Sequence, residues 1–283
     1  MRVVLLLLLV SLACTACTDG TVRPREDDTP ALHGRGQFTF VPAQGPSIPV
    51  FYAGTPSESA RVVFVLHGLN RNAEDYRDVW ADLVDGEDVL VVAPQFSEED
   101  FPHTEDYNLG GLSGSGPVAF DYIEPLFDEV RGRLGGAQDE YAMYGHSAGA
   151  QFVHRFVEFT PAARLGTAVA ANAGWYTLPD EDVEFPYGME DAPGTPDPED
   201  YLTRDLVVLL GADDVEDKNL RTDADAMAQG ATRLERGMSF YLSAREVASE
   251  RDVDLAWRLE VVPGVGHSNV DVAETALRHI LTP

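Results

Sequence analysis

The feature that most constrains this chain is a Gly-His-Ser-Ala-Gly motif at 145–149. A short apolar run at 141–144 precedes it, and the residues after it, 150–157, repeat apolar side chains with helical period. A strand that turns into a helix within one residue strains that residue, and the two glycines remove the Cβ atoms that would collide there. Such a motif can arise by chance in a glycine-rich turn. These flanks instead favour an exposed Ser147 hydroxyl at a helix N-terminus, where developing negative charge is stabilised.

The rest of the chain alternates strand and helix patterns. Further runs with the composition of buried strands lie at 61–66, 89–94, 167–171, 206–210 and 257–262. Helical periodicity covers 73–83, 117–134 with a break at Pro125, 234–247 and 270–280. This alternation favours parallel strands joined by right-handed crossovers, and 37–41 with 50–52 predicts an antiparallel pair at the sheet edge. We therefore expect an α/β fold in one domain at 35–283, with a mostly parallel central sheet of about eight strands and helices on both faces.

The N-terminus has the pattern of a targeting segment at 1–17. A charged start is followed by an apolar stretch at 3–13, which is too short to span a bilayer as a permanent helix. Both cysteines lie at the end of this segment, and the pattern resembles a bacterial lipoprotein signal with Cys17 as the lipidated residue and Cys14 as the alternative. Plain cleavage and secretion is the other reading. Either way we expect an extracytoplasmic protein, with a flexible polar tether at 18–34.

Charge excludes two classes of partner. The net charge is −28, from 48 acidic and 20 basic side chains. A polyanion is repelled by nucleic acid and by an anionic membrane surface. Any membrane association is therefore expected only through the lipid anchor, and the expected partner is a small-molecule substrate.

A serine hydroxyl needs a base beside it, usually a histidine that a carboxylate holds in one tautomer. On a fold of this kind the acid and the histidine follow the serine in that order, each on a loop after a strand. His267 follows the last strand in a glycine-flanked loop, and Asp214 ends a Gly-x-x-Asp turn after the strand at 206–210. We predict that these two residues act with Ser147, with Asp213 as the alternative acid.

The sequence gives no support for metal or cofactor chemistry. It contains no His-Glu-x-x-His motif, and the acidic cluster at 213–217 lacks the glycine and spacing of a calcium loop. No Gly-x-Gly-x-x-Gly motif follows the first buried strand, so a nucleotide cofactor is not expected. We predict a site that uses neither a metal nor a cofactor.

Three segments, 66–68, 145–149 and 266–268, together carry a family resemblance. The chain resembles α/β-hydrolases of the serine esterase group, in the poly(3-hydroxybutyrate) depolymerase and feruloyl-esterase-like branch, over about 40–281. The resemblance implies that the backbone N–H groups of Leu69 and Ala148 form the oxyanion hole. Secreted depolymerases of this kind often carry a linker and a substrate-binding domain. This sequence shows neither, so a small soluble ester is the expected substrate.

The expected function is hydrolysis of a carboxylic ester through an acyl-enzyme intermediate. The same residues would also serve a serine peptidase or a thioesterase, and a hydrolase fold without activity could serve as a binding lipoprotein.

Pocket residues are predicted from the loops that follow the strands. Phe101, Tyr107, Trp175 and Tyr176 form an apolar and aromatic set that suits an uncharged acyl or aryl group. The neighbouring segments 97–106 and 180–200 are acidic, and 179–200 has the position of a lid or of a plain surface loop. We therefore expect neutral esters to be preferred over esters with a free carboxylate. The opposite preference would indicate Arg71 as a substrate anchor.

Overall fold

The structure, a computed structural model, describes residues 31–114 and 116–282. The predicted signal segment, Cys14, Cys17 and most of the predicted tether lie outside the described residues. Within the described ranges, no helix is both long enough and apolar enough to cross a membrane.

An eight-stranded sheet forms the centre of the domain. Its strands are β1 (Gly34–Phe40), β2 (Ile48–Gly54), β3 (Arg61–Leu66), β4 (Val89–Pro94), β5 (Tyr141–His146), β6 (Leu165–Ala171), β7 (Leu206–Gly211) and β8 (Arg258–Val262). Their spatial order is β1-β2-β4-β3-β5-β6-β7-β8. β1 and β2 are antiparallel to their neighbours, and every pair from β4 to β8 is parallel. The predicted fold class is therefore confirmed.

Helices cover both faces of the sheet. They are α1 (Ala73–Leu83), α2 (Thr104–Tyr107), α3 (Ile123–Leu134), α4 (Ala148–Phe159), α5 (Pro198–Tyr201), α6 (Ala224–Gln229), α7 (Arg233–Arg251) and α8 (Asn269–Leu281). Alternate residues of β3 enter two separate cores. Phe64 packs in the core that includes side chains of α3, α4 and α7, and Val65 in the core that includes those of α1 and α8.

Two predicted boundaries differ from the structure. The helical pattern at 117–134 is divided into a 3₁₀ turn at Ala119–Tyr122 and α3, with Pro125 in the first turn of α3, where its missing N–H costs no intrahelical bond. The domain also begins before residue 35, because Leu32 is buried and Gly34 pairs with Gly54. The last residues of the predicted tether therefore belong to the domain.

The motif at 145–149 forms the connection between β5 and α4, and its glycines allow close packing there. A Cβ atom on Gly145 would lie 2.2 Å from the carbonyl oxygen of Gly149. A Cβ atom on Gly149 would lie 2.3 Å from the carbonyl oxygen of Leu66 and 2.8 Å from that of His67. The first turn of α4 therefore packs directly on the end of β3.

We expect Gly149→Ala to lower the free energy of unfolding by about 3 kcal/mol or more, because the obstructing atoms are backbone that cannot rotate away. Gly132→Ala is the matched control. Gly132 is an exposed residue of α3, and beyond the backbone of its own helix a Cβ atom there would meet nothing within 4 Å. Alanine at this position should therefore raise stability by about 0.5–1 kcal/mol. Urea denaturation of both variants measures the difference, and equal effects would contradict the packing argument.

Three histidines are buried close to the motif. His67 donates from Nδ1 to the Gly68 carbonyl and accepts the Phe96 N–H at Nε2, so both bonds require the neutral ring. His154 is held in the same way by the Ala150 carbonyl and the Thr177 N–H.

Burial disfavours the charged form of all three rings. It lowers the pKa of His67 to about 3 and that of His154 well below its ordinary value. Burial likewise lowers the pKa of His146, with smaller contributions from His267 and Arg233.

We expect the protein to lose stability between about pH 7.5 and 5.5. The unfolded chain takes up a proton on each of these histidines near its ordinary pKa of about 6.5, whereas the folded chain does not, so stability falls as the pH falls. The three histidines together should lower the free energy of unfolding by about 4 kcal/mol over this pH window. Thermal unfolding across the window measures the loss. His154→Gln should make the dependence shallower by about a third, and an unchanged slope would contradict the assignment.

Candidate active site

Ser147 lies between β5 and α4 in a strained backbone conformation. Its φ is 57° and its ψ is −114°, which a residue with a Cβ atom rarely adopts. The Ser147 N–H donates to the Ala171 carbonyl at 3.0 Å, and the Ser147 carbonyl accepts the Gln151 N–H at 3.1 Å. These bonds hold the residue at the sheet edge with its hydroxyl directed to His267.

A hydrogen-bonded chain joins Ser147, His267 and Asp214. The distance from Ser147 Oγ to His267 Nε2 is 3.1 Å, and that from His267 Nδ1 to Asp214 Oδ2 is 2.7 Å. The Asp214 side chain is fully buried, whereas His267 is partly exposed. A carboxylate can only accept, so Nδ1 carries the proton and Nε2 is free to accept the serine proton.

The structure brings Asp214, and not the alternative Asp213, to His267. Asp213 is exposed, and its backbone N–H donates to the Val265 carbonyl. This bond ties the turn after β7 to the loop that carries His267.

Two residues near the site carry little or no local signal in the sequence. Asn172, with a φ of 52°, accepts the Gly211 N–H on its side-chain oxygen and donates to the Gly266 carbonyl, so it joins the ends of β6 and β7 to the His267 loop. Arg233 of α7 lies 3.4 Å from Asp214 Oδ1. Both contacts depend on tertiary packing, although an asparagine directly after a buried strand is a weak signal.

The turn after β3 is held in place by Tyr107. Tyr107 donates its hydroxyl to the His67 carbonyl at 2.7 Å and stacks on the His67 ring at 4.5 Å. Burial raises the pKa of Tyr107 well above its ordinary value, so the hydroxyl remains a donor. The N–H groups of Leu69 and Ala148 donate to no atom of the described residues, and both residues line the same cleft as Ser147.

A cleft of about 240 Å³ opens above the serine. Its walls are about equally polar and apolar. Besides Ser147, His267, Leu69 and Ala148, it is lined by Thr104, Asn108, Gln151, Gly174, Trp175, Asn219, Leu220, Arg221 and Arg233.

Three of the four predicted pocket aromatics are in the core and not in the cleft. Only Trp175 lines the cleft, whereas Phe101, Tyr107 and Tyr176 are fully buried. The long loop after β4 folds inward, because its aromatic rings can stack on one another and on Phe152 of α4. The prediction for these three residues is therefore wrong.

The other predicted features of the cleft also lie elsewhere. Arg71 is buried over the Tyr107 ring and donates to the carbonyls of Phe96 and Phe101, so it holds the loop and is no substrate anchor. No residue of 179–200 lines the cleft, although Tyr187 packs behind Trp175 at 4.7 Å.

Comparison with known proteins identifies relatives among the solved structures. No protein-family model matches the sequence, and no curated protein matches it. Among solved structures, poly(aspartic acid) hydrolase-1 from Sphingomonas sp. KT-1 is 40% identical with a TM-score of 0.84, over 88% of this chain and 98% of that one. LpqC, a poly(3-hydroxybutyrate) depolymerase from Bordetella parapertussis, is 30% identical with a TM-score of 0.81, over 89% and 92%.

A more distant structure shares the fold alone. The fluorophosphonate-binding serine hydrolase FphF of Staphylococcus aureus is 15% identical with a TM-score of 0.57, over 88% of this chain and all of that one. Poly(aspartic acid) hydrolase-1 and LpqC are much more similar to this chain in sequence than FphF is, and they confirm the family resemblance found in the sequence. The chain belongs to the family of α/β-hydrolase-fold hydrolases that includes poly(aspartic acid) hydrolase-1 and the depolymerase LpqC.

Proposed function

We propose that this protein is a serine hydrolase that cleaves carboxylic esters, with Ser147 as nucleophile, His267 as general base and acid, and Asp214 as the group that orients His267. The observation that carries the proposal is the unbroken hydrogen-bonded chain from a buried carboxylate to a strained serine on the floor of an open cleft. A binding protein without activity would need neither of these two hydrogen bonds.

In the first half of the reaction, Ser147 Oγ attacks the acyl carbon while its proton passes to His267 Nε2. The carbonyl oxygen becomes an oxyanion, and the free N–H groups of Leu69 and Ala148 are the donors we assign to it. His267 then gives its proton to the departing alcohol, which leaves the acyl group on Ser147.

In the second half, His267 takes a proton from a water molecule, and the resulting hydroxide attacks the acyl carbon. The oxyanion is held by the same N–H groups and collapses. Ser147 leaves with the proton from His267, and the carboxylic acid is released. Asp214 stays ionised throughout and stabilises the positively charged His267 that forms in each half.

Substitution tests these roles. We expect Ser147→Ala and His267→Ala each to lower kcat by about four orders of magnitude or more on 4-nitrophenyl acetate, and the double variant to be little worse, because the groups act as one unit. A fluorophosphonate probe should label wild type on Ser147 and fail to label Ser147→Ala. Ser243→Ala is the control, since it lies on α7 ten residues after Arg233, about 15 Å along the helix. Substantial turnover in Ser147→Ala would refute the proposal.

A matched pair of substitutions tests which aspartate orients His267. We expect Asp214→Asn to lower kcat by about 10⁴, because the amide favours the wrong histidine tautomer, and Asp213→Asn to stay within a few-fold of wild type. Both substitutions are isosteric, so steady-state kinetics separate the two. A larger loss in Asp213→Asn would transfer the role to Asp213.

A second candidate is cleavage of an amide-linked polyanion. The relative at 40% identity is by name a poly(aspartic acid) hydrolase. The cleft supports this candidate, because Arg221 lies on its wall where the sequence predicted only uncharged groups. Arg221 pairs with Asp223 at 2.5 Å and is partly exposed, so a substrate carboxylate can approach it.

Poly(aspartic acid) separates the two candidates. If the second holds, wild type shortens the polymer, and Arg221→Met does so at least about tenfold more slowly because it lacks the charged donor for the substrate carboxylate. Size-exclusion chromatography of the products measures this, with Ser147→Ala as the blank. Full activity on 4-nitrophenyl acetate with no shortening of the polymer leaves the ester candidate alone.

A further inference from the structure

Asp214 has a second buried partner besides His267. Its Oδ2 accepts from His267, and its Oδ1 faces Arg233 Nη1 at 3.4 Å. The side chains of Asp214 and Arg233 are 0% and 2% exposed. Within 31–114 and 116–282, no other hydrogen bond reaches Oδ1, and no other carboxylate lies within ion-pair distance of Arg233.

The position of Arg233 is set by rigid structure. It is the first residue of α7, and the preceding Thr232 caps the helix by accepting the Glu235 N–H. One turn later, Gly237 allows α7 to pack on β7, since a Cβ atom there would lie 2.4 Å from a methyl carbon of Leu210. The helix therefore holds the backbone of Arg233 at a fixed place beside the end of β7.

Arg233 also holds the chain that follows Asp214. It donates to the carbonyls of Glu216 and Lys218. These bonds fold 214–218 around the guanidinium and lead into Asn219, Leu220 and Arg221 on the cleft wall. A planar group with five donors can serve a carboxylate and two carbonyls at once, which an ammonium group cannot do in the same geometry.

We propose that Arg233 is a positioning residue for the catalytic acid: its ion pair with Asp214 Oδ1 fixes the rotation of the carboxylate, so that Oδ2 holds His267 in line with Ser147. The inference rests on the proposed triad. Burial and hydrogen bonds to carbonyls alone would give Arg233 only a structural role, whereas the contact with Asp214 gives it a role in the reaction.

The charge of Arg233 has a predictable effect on the pH dependence. Among the described residues, the charged or titratable groups near His267 include Asp214, Arg233, the neutral ring of His146 at 4.6 Å, Arg221 on the cleft wall, and the exposed Asp213 on the turn bonded to the His267 loop. The negative charge of Asp214 favours the protonated form of His267, and the positive charge of Arg233 offsets part of this effect. Without it, His267 is protonated at higher pH, and the acid limb of kcat/KM moves upward.

We expect Arg233→Met to lower kcat/KM for 4-nitrophenyl acetate about tenfold to a hundredfold and to raise the acid limb by about half to one pH unit. Arg233→Lys keeps the charge and should keep the acid limb near its wild-type position. Arg236→Met is the matched control, because Arg236 is buried one turn further on and donates to the carbonyls of Gly174, Arg221 and Gly230 but to no carboxylate. Its acid limb should not move. A shift in both methionine variants, or in neither, would overturn the proposal.

A second comparison remains valid if Arg233→Met alone does not fold. Asp214→Asn/Arg233→Met removes both buried charges, so it leaves no unpaired charge behind. Because Arg233 acts through Asp214, adding Arg233→Met to Asp214→Asn should change kcat/KM by less than about threefold. A further loss of tenfold or more would show that Arg233 acts elsewhere. Wild-type activity in Asp214→Asn itself would refute the triad and the role of Arg233 with it, whereas a further loss in the double variant would refute the role of Arg233 alone, so the two failures are distinguishable.

Discussion

The nucleophile and the assigned oxyanion donors depend on how closely the first turn of α4 packs on the end of β3. The contact is possible only because 145 and 149 are glycines, each with backbone oxygen atoms where a Cβ atom would stand. The same contact strains Ser147 and places the Ala148 N–H beside the turn that carries Leu69. The nucleophile and the assigned oxyanion donors are thus positioned by a single packing contact, so a movement of α4 would displace all of them together.

The loops around the site are held largely by buried arginines. Lysine occurs only once in the sequence, and arginine supplies the other basic side chains. Arg71, Arg155, Arg233 and Arg236 are all buried, and each donates to backbone carbonyls of segments outside the regular strands. The carboxyl edge of a parallel sheet consists of such segments, whose carbonyls have no ladder partner. A guanidinium can satisfy several of them at once and so links these loops to one another.

The sequence predicted the parts of the molecule that depend on local patterns. Buried strands, the glycine motif and the positions of Asp214 and His267 are each visible within a few residues, and the structure places these side chains within hydrogen-bonding distance. The cleft was predicted poorly, because an aromatic residue on a loop is as well suited to a core as to a pocket. Phe101 and Tyr107 joined the core, where Phe101 packs on Phe96 and Tyr107 packs on Phe152 of α4. The Arg233 contact could not be predicted, since nothing in the sequence of α7 distinguishes it from the other arginines of that helix.

The charge of the cleft shows why composition alone is a poor guide to a site. A net charge of −28 describes the potential far from the surface, but at physiological salt charges are screened beyond about 8 Å. The acidic residues of 180–200 line no part of the cleft, whereas Arg221 and Arg233 do. Each of these arginines has its own carboxylate, Asp223 and Asp214 respectively, so the cleft is close to electrically balanced. Arg233 is buried and committed to Asp214, and only Arg221 is accessible enough to exchange its partner. Whether the site accepts an anionic substrate therefore depends on a local competition, in which a substrate carboxylate must replace Asp223 on Arg221 against the long-range repulsion of the surface.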